Sequence, residues 1–398
     1  MPLVSNSWPI IQLGDAASFV NGYAFKPKDW ESEGLEIIRI QNLTKGGSTT
    51  NYFNGEIKEK YKVVKGDFLI SWSATLGIYT WERDDAWLNQ HIFKVVFDKK
   101  EFDKSFFKHL ISMSLESMGR ETHGSTMKHI TKPRFDSFKI PYPPLKEQKK
   151  IAEILDAADS LRQKDQQLVE HYDRLSQSLF LDMFGDSVAN PKDWEVNKLK
   201  DLSVKIHSGN TPKGGSKVYV NQGVAFFRSQ NVWKNRLELD DVVYIDEAIH
   251  SNMSKSSLKN KDILMTKTGR INTENSSLGR AAMFLGEDDT ANVNGHVYLI
   301  RLREGVINEF VLFILTSIEY RGYIRSVCVG GIDKRQLNKD HIENFPIISP
   351  PRDLQEKFVD QLKLIEKQKK LAEQSLKKSG DLFNSLLQKA FKGELTAS

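Results

Sequence analysis

Two matching clusters of polar side chains suit hydrogen bonding to the edges of nucleobases. Each cluster follows an apolar run, and the two clusters are Arg39, Gln41, Asn42 and Arg228, Gln230, Asn231. Arginine pairs well with guanine, and asparagine or glutamine with adenine, so these six residues are candidate DNA contacts. A structural role, in which the arginine binds a carboxylate or backbone carbonyls, explains the clusters at least as well.

Loops rich in glycine, hydroxyl groups and cations form a second set of candidates. Segments 124–129 and 330–335, and segments 71–75 and 266–272 after equivalent strands, let backbone amides and cations approach phosphates. A single polar loop is equally consistent with simple exposure to solvent, but recurrence in both halves of the chain favours binding. The candidate contacts from these loops and from segment 208–217 are Ser71, Ser73, Thr75, Ser125, Thr126, Lys128, Lys213, Lys217, Lys267, Thr268, Arg270, Lys334 and Arg335.

Motifs for catalysis are mostly missing. The segment Gly209–Ser216 resembles a phosphate-binding loop, but Gly215 stands where that loop needs its lysine. The triplet 56–58, Glu-Ile-Lys, could serve a nuclease, yet it has no equivalent in the second half of the chain. His91 and His296 occupy equivalent places, but a histidine without a second ligand is more often structural. We therefore predict no catalytic residue, no metal site and no cofactor bound to this chain.

The composition predicts a globular chain of two or three domains. Its 398 residues are 39% hydrophobic and 27% charged, which is too apolar for a disordered protein. The net charge of +5 permits an anionic partner without requiring one. The single cysteine, Cys328, excludes an internal disulfide and favours a reducing, cytoplasmic setting. We see no signal-peptide pattern, and the longest apolar run, Phe310–Leu315, is far shorter than the roughly 20 residues of a membrane span, so no membrane insertion is expected.

The chain contains an internal repeat. Trp8 recurs as Trp194, an offset of 186 residues, and Pro143 recurs as Pro350, an offset of 207. Landmarks between them keep their order while the offset grows, as expected for one fold repeated with longer loops in the second copy. Each copy begins with short apolar or β-branched runs that indicate strands, and contains one helical stretch, 104–118 or 308–324. Each copy is therefore predicted to begin with an α+β domain.

After each Pro-Pro pair, a heptad pattern predicts a long helix. About 40 residues at 1.5 Å each make a rod of roughly 60 Å. The two helices can pair as an antiparallel coiled coil with the two domains in a pseudo-twofold arrangement; alternatively, each packs on its own domain. The predicted globular domains are 1–143 and 188–349, and the predicted helices are 144–187 and 350–398. The predicted seam consists of Ile151, Ile154, Leu161, Leu168, Leu175, Leu179, Phe358, Leu362, Ile365, Leu376, Phe383 and Leu386.

The junctions between domain and helix resemble those of the DNA-specificity subunits of type I restriction-modification systems. Residues 141–151, Pro-Tyr-Pro-Pro-Leu-Lys-Glu-Gln-Lys-Lys-Ile, are similar to the family's Pro-Pro-Leu-x-Glu-Gln junction, and residues 178–185 are similar to the segment that closes its helix. The second junction departs from the pattern at Arg352 and Leu354. The order of domain, helix, domain and helix extends the resemblance over essentially the whole chain.

The resemblance implies a non-catalytic subunit in which each α+β domain is a target-recognition domain that reads one half of a bipartite, asymmetric DNA site. It also implies that the helices act as a spacer and dock two methyltransferase (modification) subunits, and that restriction/translocase subunits join the full complex. Adenosylmethionine, ATP and Mg²⁺ would then bind to those partners. Two alternatives stay open: a coiled-coil assembly or interaction protein without DNA specificity, and a self-sufficient restriction or methylation enzyme. Salt-dependent binding to duplex DNA would distinguish the first alternative.

Overall fold

The structure, a computed structural model, describes residues 8–44, 50–120, 130–273 and 275–395. The chain divides into two compact units. The first unit contains the chain up to Gln167 together with the chain from Ala372 onward, and the second unit is Leu168–Leu371. Both divisions fall inside long helices, so each unit consists of one globular part and portions of two helices. The sequence-predicted boundaries at 143/144 and 349/350 instead treat the helices as separate domains.

In the first unit, the described residues form three sheets. An antiparallel pair joins Ile10–Gln12 to Lys139–Pro141. A four-stranded antiparallel sheet has the spatial order Ser18–Asn21, Ile92–Val96, Phe68–Ser71, Gly77–Thr80, and a mixed sheet has the order Asn51–Phe53, Leu35–Ile38, Ala86–Leu88, Lys62–Val63. The helices are Lys104–Arg120 and the shorter Leu13–Ala16, Ile40–Leu43 and Lys132–Asp136, with 3₁₀ turns at Pro27–Asp29 and Glu59–Tyr61.

The second unit repeats this layout and adds to it. The antiparallel pair is Val196–Lys198 with Pro346–Ile348. The four-stranded sheet is Ser203–Ser208, Val297–Leu302, Ile263–Thr266, Ala281–Met283, and the mixed sheet is Val243–Ile245, Val224–Phe227, Ala291–Val293. The additions are the pair Val232–Trp233 with Arg236–Leu237, and a three-stranded sheet of Thr268–Arg270, Lys334–Gln336 and Val329–Gly330. The helices are Glu247–Asn252, Asn308–Thr316, Ile318–Val327 and Lys339–Glu343, with 3₁₀ turns at Gly215–Val218, Ser229–Asn231 and Ser254–Ser256.

Corresponding turns show that the repeat extends to backbone detail. A carboxylate before the central strand of each four-stranded sheet closes a turn: Asp67 accepts from the backbone N–H of Val64, and Asp262 from that of Lys259. The residue before each aspartate has a positive φ, which is 92° at Gly66 and 67° at Lys261. The first turn uses glycine for this left-handed conformation, whereas the second turn forces it on a lysine.

The predicted helical stretch 308–324 is two helices. Asn308–Thr316 ends at Ser317, whose hydroxyl accepts a hydrogen bond from the backbone N–H of Tyr320 and so caps the next helix, Ile318–Val327. Serine at this position offers the backbone an alternative to continuing the helix. In the first unit the equivalent stretch is one helix, Lys104–Arg120.

The long helices are Leu145–Phe184 and Arg352–Lys392, and both start directly after a Pro-Pro pair. The side chain of Gln148 is fully buried and donates back to the carbonyl of Pro143, 2.9 Å away, and Gln355 donates to the carbonyl of Pro350, 2.7 Å away. The first helix is followed by Gly185 at φ 78° and the second by Gly393 at φ 76°. Proline before the first turn and left-handed glycine after the last fix both ends of each helix.

Portions of both long helices complete each hydrophobic core. In the first unit, Ile151 and Leu155 of the first helix and Phe391 of the second are fully buried. In the second unit, Phe180 and Phe358 lie 5.4 Å apart between ring centroids, within a cluster of aromatic rings. The helices are therefore part of each folded unit, because removing either one would expose its core.

Within each unit the two helices run antiparallel. In the first unit, Asp165 accepts from the hydroxyl of Ser375 at 3.1 Å, and Arg162 lies 5.5 Å from the ring of Phe383. In the second unit, Lys369 donates to Asp173 at 2.7 Å. In that unit Phe180 also lies beside Phe358. In both units, higher residue numbers on the first helix therefore pair with lower residue numbers on the second helix.

The predicted seam is wrong for part of the first helix. Ile154, Leu161, Leu168 and Leu175 are 38–46% exposed. The packed row instead includes Leu155, Ala158 and Asp165, all buried, so it alternates by four and three residues with a different phase. The predicted seam residues of the second helix, Phe358, Leu362, Ile365, Leu376, Phe383 and Leu386, are buried or half-buried, as are Ile151 and Leu179 of the first helix.

Candidate nucleic-acid interface

In both units the predicted arginine cluster lies at the end of two neighbouring parallel strands. In the first unit, Arg39 follows Leu35–Ile38 and Asn89 follows Ala86–Leu88, and these two strands pair in parallel. In the second unit, Arg228 follows Val224–Phe227, which pairs in parallel with Ala291–Val293. Because parallel strands end at the same sheet edge, polar residues that are distant in sequence are brought together there.

The polar cluster of the second unit forms hydrogen bonds and an ion pair within the unit. Arg228 forms an ion pair with Asp241 at 3.0 Å, and Gln230 donates to the same carboxylate at 3.2 Å. The hydrogen bond from Gln230, followed by the hydrogen bond and charge of Arg228, lowers the pKa of Asp241. Asn231 is fully buried and donates to the carbonyls of Glu238 and Asp241. The DNA-contact prediction is therefore wrong for Asn231, which holds the loop in place.

The cluster of the first unit is arranged differently. The guanidinium of Arg39 lies 5.3 Å from the ring centroid of Trp30. The side chain of Asn42 accepts from the backbone N–H of Arg39 at 3.0 Å and therefore fixes the turn, while Gln41 is half-buried beside a cavity. Among residues 8–44, 50–120, 130–273 and 275–395, Arg39 forms no ion pair.

Two predicted loops of the second unit meet in one small sheet. Strand Thr268–Arg270 pairs antiparallel with Lys334–Gln336, so that Arg270 lies opposite Lys334 and Gly269 opposite Arg335. Arg270 is exposed and pairs with Asp333 at 3.3 Å, whereas the ammonium of Lys267 lies 5.7 Å from the ring of Tyr298. Arg270 and Lys334 lie opposite each other and therefore share one face of this sheet, which suits contact with phosphates. Arg335 follows Lys334 on the strand and instead donates to the carbonyls of Gly331 and Cys328.

The corresponding loop of the first unit includes Ser71, Ser73 and Thr75. Ser71 is fully buried and donates to the carbonyl of Thr75, so its DNA-contact prediction is wrong. Thr266, its equivalent, is also buried and donates to the carbonyl of Ser277. Ser73 is half-buried and Thr75 exposed, so both stay candidates, as do the half-buried Thr268 and the exposed Lys213 and Lys217. The predicted contacts Ser125, Thr126 and Lys128 lie outside the described residues.

A basic and aromatic cluster in the second unit is not among the residues predicted from the sequence. The guanidinium carbons of Arg280 and Arg236 lie 3.9 and 5.6 Å from the ring centroid of Trp233. Partial burial, and next the charge of Arg321, lower the pKa of Arg280. The segment 233–236, Trp-Lys-Asn-Arg, carried the signal of an aromatic residue among cations, but Arg280 lies too far along the chain to be grouped with it by sequence.

Metal-binding clusters and membrane-spanning helices are not found among the described residues. Within that part of the chain, no three His, Cys, Asp or Glu side chains are grouped so that they could hold a metal ion. None of the described helices combines the length and the apolar character that crossing a membrane requires.

An α+β domain that occurs twice, with two long antiparallel helices completing both cores, defines a protein with two similar recognition modules. The chain belongs to the family of type I restriction modification DNA specificity domains, whose model matches residues 6–171 and again residues 191–378. The match covers both globular parts and most of both helices.

Named relatives extend over nearly the whole chain. The type I restriction enzyme EcoBI specificity subunit of Escherichia coli is 24% identical, and the alignment covers 99% of this chain and 87% of that protein. The MjaVIII specificity subunit of Methanocaldococcus jannaschii is also 24% identical, with 96% of this chain and 93% of that protein covered. The crystal structure of the S subunit from M. genitalium superposes with a TM-score of 0.54 at 16% identity and covers 98% of this chain, which shows a shared fold.

Proposed function

We propose that this chain is the DNA-specificity subunit of a type I restriction-modification complex. Each globular part recognises one half of a bipartite, asymmetric site in double-stranded DNA. The observation that carries this proposal is the repeat itself: one sheet layout is present twice, and the family model matches both copies. Two similar binding modules in one chain suit a site with two halves.

Differences between the copies support an asymmetric site. Arg39 stacks on Trp30 in the first unit, whereas the equivalent Arg228 pairs with Asp241 in the second. The loop 71–75 is neutral, whereas the equivalent loop contains Lys267 and Arg270. Different side chains at equivalent positions recognise different bases, so the two half-sites are expected to differ in sequence.

The long helices offer docking surfaces for partner subunits. Ile154 and Leu161 in the first unit, and Leu168 and Leu175 in the second, are large apolar side chains that are 38–46% exposed at intervals of seven residues. Exposed apolar rows on helices are typical of sites that bind other helices. We infer that each unit binds one methyltransferase subunit here and that restriction/translocase subunits join through that assembly.

The partners would supply the chemistry in this proposal. Adenosylmethionine would bind to the methyltransferase subunits, and ATP and Mg²⁺ to the restriction subunits, while this chain acts without catalysis in the cytoplasm. The alternative of a coiled-coil assembly protein without DNA specificity has no specific observation in its favour, because family membership concerns the globular parts as well as the helices.

A domain exchange tests the proposal. Residues 1–142 are replaced by the corresponding domain of another family member, the chimaera is co-expressed with its modification subunit, and adenine methylation is mapped by single-molecule sequencing. We expect one half of the methylated motif to change and the other half to stay. Alteration of both halves, or a wild-type complex that is folded and assembled but methylates no motif, would contradict the proposal.

A second experiment separates docking from DNA recognition. Leu161→Glu and Leu168→Glu are expected to weaken association with the modification subunit, because a buried carboxylate is unfavourable in an apolar contact. Lys164→Glu, on an exposed part of the same helix, is the control. Unchanged association of both leucine variants would remove these positions from the docking surface.

A further inference from the structure

A pocket in the first unit has an arginine at its wall that no carboxylate of the described residues neutralises. It has a volume of about 250 Å³ and is lined by Trp30, Arg39, Gln41, Asn89 and His91, among others. Arg39 and Asn89 each follow one of two paired parallel strands, Leu35–Ile38 and Ala86–Leu88. The pocket therefore sits at a sheet edge where two strand ends meet.

Trp30 holds the guanidinium of Arg39. The distance from the guanidinium carbon to the ring centroid is 5.3 Å, and the indole is 44% exposed. An aromatic face attracts the cation and restricts the position of the guanidinium before any ligand arrives. Arg39 is the N-cap residue of Ile40–Leu43, and its backbone N–H is bound by Asn42, so its main chain is fixed as well.

The second unit has the same arrangement of strands, but the residues equivalent to Trp30 and Arg39 make different contacts. Glu31 and Val220 form corresponding bridges to Tyr52 and Tyr244, which makes Tyr219 the equivalent of Trp30. The ring of Tyr219 packs on Phe226 at 5.9 Å, and Arg228 is neutralised by Asp241 at 3.0 Å. In the first copy, segment 40–53 contains no aspartate or glutamate that could take the place of Asp241. An arginine without a carboxylate partner among the described residues is therefore specific to the first copy and is not a feature of the shared sheet layout.

The remaining lining residues provide both donors and acceptors. Asn89 accepts from the backbone N–H of Gln90 at 2.7 Å, which fixes its amide. The ring of His91 lies 5.4 Å from that of Trp72, and its Nε2 lies 3.2 Å from the side-chain amide nitrogen of Gln90. Ile40 and Ile92 complete the lining. A guanidinium beside amide groups and apolar walls suits a flat group with two adjacent acceptors better than a phosphate, which exposed lysines and arginines can contact without a pocket.

We propose that this pocket receives the major-groove edge of a guanine in the half-site read by the first unit, with Arg39 donating to O6 and N7. The inference rests on the proposed function and assigns one base of the site, a guanine, to one residue, Arg39. Trp30 acts as a positioning residue that restricts the position of the guanidinium, and the second unit recognises its half-site by other contacts.

The test uses the complete complex with its modification subunit and a duplex that contains the methylation motif of the wild type. Each guanine of the motif is replaced in turn by 7-deazaguanine, which lacks the N7 acceptor. We expect Arg39→Ala to weaken binding to the unmodified duplex by about 5- to 150-fold, the range for one bidentate contact. Replacement of one particular guanine should weaken the wild type but leave Arg39→Ala unchanged. Methylation mapping of Arg39→Ala should show that single position relaxed, with the other half-site intact.

Controls separate this effect from folding and from charge. Lys60→Ala removes a cation that lies over Tyr61 in the same unit, outside the pocket lining, and should bind like the wild type. Trp30→Leu should relax the same position less than Arg39→Ala does. Unfolding of all variants is compared with that of the wild type to exclude loss of structure.

Three outcomes would overturn the inference. Equal weakening on every duplex, with a smaller salt dependence, would make Arg39 a phosphate contact. Unchanged binding and an unchanged motif would show that the pocket is not used. Relaxation in both half-sites would show that Arg39 acts through the structure of the assembly. In each case the proposed function stands if the wild type still methylates one bipartite motif, and it fails separately if the wild type shows no sequence preference.

Discussion

The indole nitrogen of Trp8 donates a hydrogen bond to the carboxylate of Glu147 across 2.9 Å, which joins the first strand region to the start of the first long helix. In the second copy Leu354 stands in place of this glutamate, and Trp194 donates instead to the backbone carbonyl of Phe184, also at 2.9 Å. The departure of the second junction from the family pattern is therefore matched by a different partner for the equivalent tryptophan.

Glu147→Leu, which copies the second junction into the first, should destabilise the first unit. The indole N–H of Trp8, a residue that is 9% exposed, would lose its acceptor, and a buried unsatisfied donor costs about 1–3 kcal/mol. Chemical denaturation measures the change, and Glu147→Gln should retain most of the stability. Lys146→Leu, at the exposed neighbouring position, is the control; a loss there as large as in Glu147→Leu would contradict the explanation.

Asp262 and Arg301 form a two-bonded ion pair inside the second unit, with distances of 2.9 and 2.7 Å. Hydrogen bonding to Asp262 raises the pKa of Arg301 despite its partial burial. Asp262→Ala should lower the free energy of unfolding by about 3–5 kcal/mol, because it leaves a partly buried charge unpaired and opens the turn at Lys259. The exposed pair Arg270–Asp333 is the control: Asp333→Ala should cost less than about 1 kcal/mol. Similar losses in both variants would show that burial is not the cause.

The repeat, the α+β class and the starts of the long helices could be predicted because they depend on local patterns: proline pairs, heptads and short apolar runs. The helices end earlier than 187 and 398, at Phe184 and Lys392. The sequence did not reveal which apolar residues of the first helix form the buried row. Ile154, Leu161 and Leu155 are equally apolar, and only the packing of the folded unit buries Leu155. The pairing of Arg228 with Asp241 and the stacking of Arg39 on Trp30 depend on which segments the mixed sheets bring together. Composition alone therefore could not show that Arg228 is paired with a carboxylate whereas Arg39 is not.

Asp165 occupies the packed row of the first helix as a buried carboxylate bound by Ser375. Asp165→Leu should raise the free energy of unfolding of the first unit by about 1–3 kcal/mol, because it removes the desolvation of the carboxylate and adds apolar contact. Lys164→Leu, on the exposed side of the same helix turn, should change it by less than about 0.5 kcal/mol. Lower stability of Asp165→Leu would show that the carboxylate is needed to align the helix pair.

Reversal of charge at Lys267 and Arg270, next to and within the small sheet of the second unit, tests the predicted phosphate contacts. Lys267→Glu with Arg270→Glu should weaken binding of the assembled complex to DNA of any sequence and reduce the slope of log affinity against log salt by about one for each phosphate that is no longer neutralised. Lys259→Glu, an exposed lysine elsewhere in the unit, is the control. Unchanged affinity and slope in the double variant, with folding intact, would remove these residues from the interface.

The stability of the second unit should fall on acidification because of His207. Burial, and next the nearby charges of Lys205, Lys339 and Lys255, lower the pKa of His207 in the folded protein below its ordinary value of 6.5. Below about pH 6.5, His207 binds a proton more readily in the unfolded chain than in the folded chain. The free energy of unfolding is therefore higher at neutral pH and falls as the pH drops below that value. The free energy of unfolding should therefore be lower at about pH 5.5 than at about pH 7.5. His207→Gln should reduce this difference, while the other histidines contribute equally to both proteins; an identical pH dependence in the variant would show that another group is responsible.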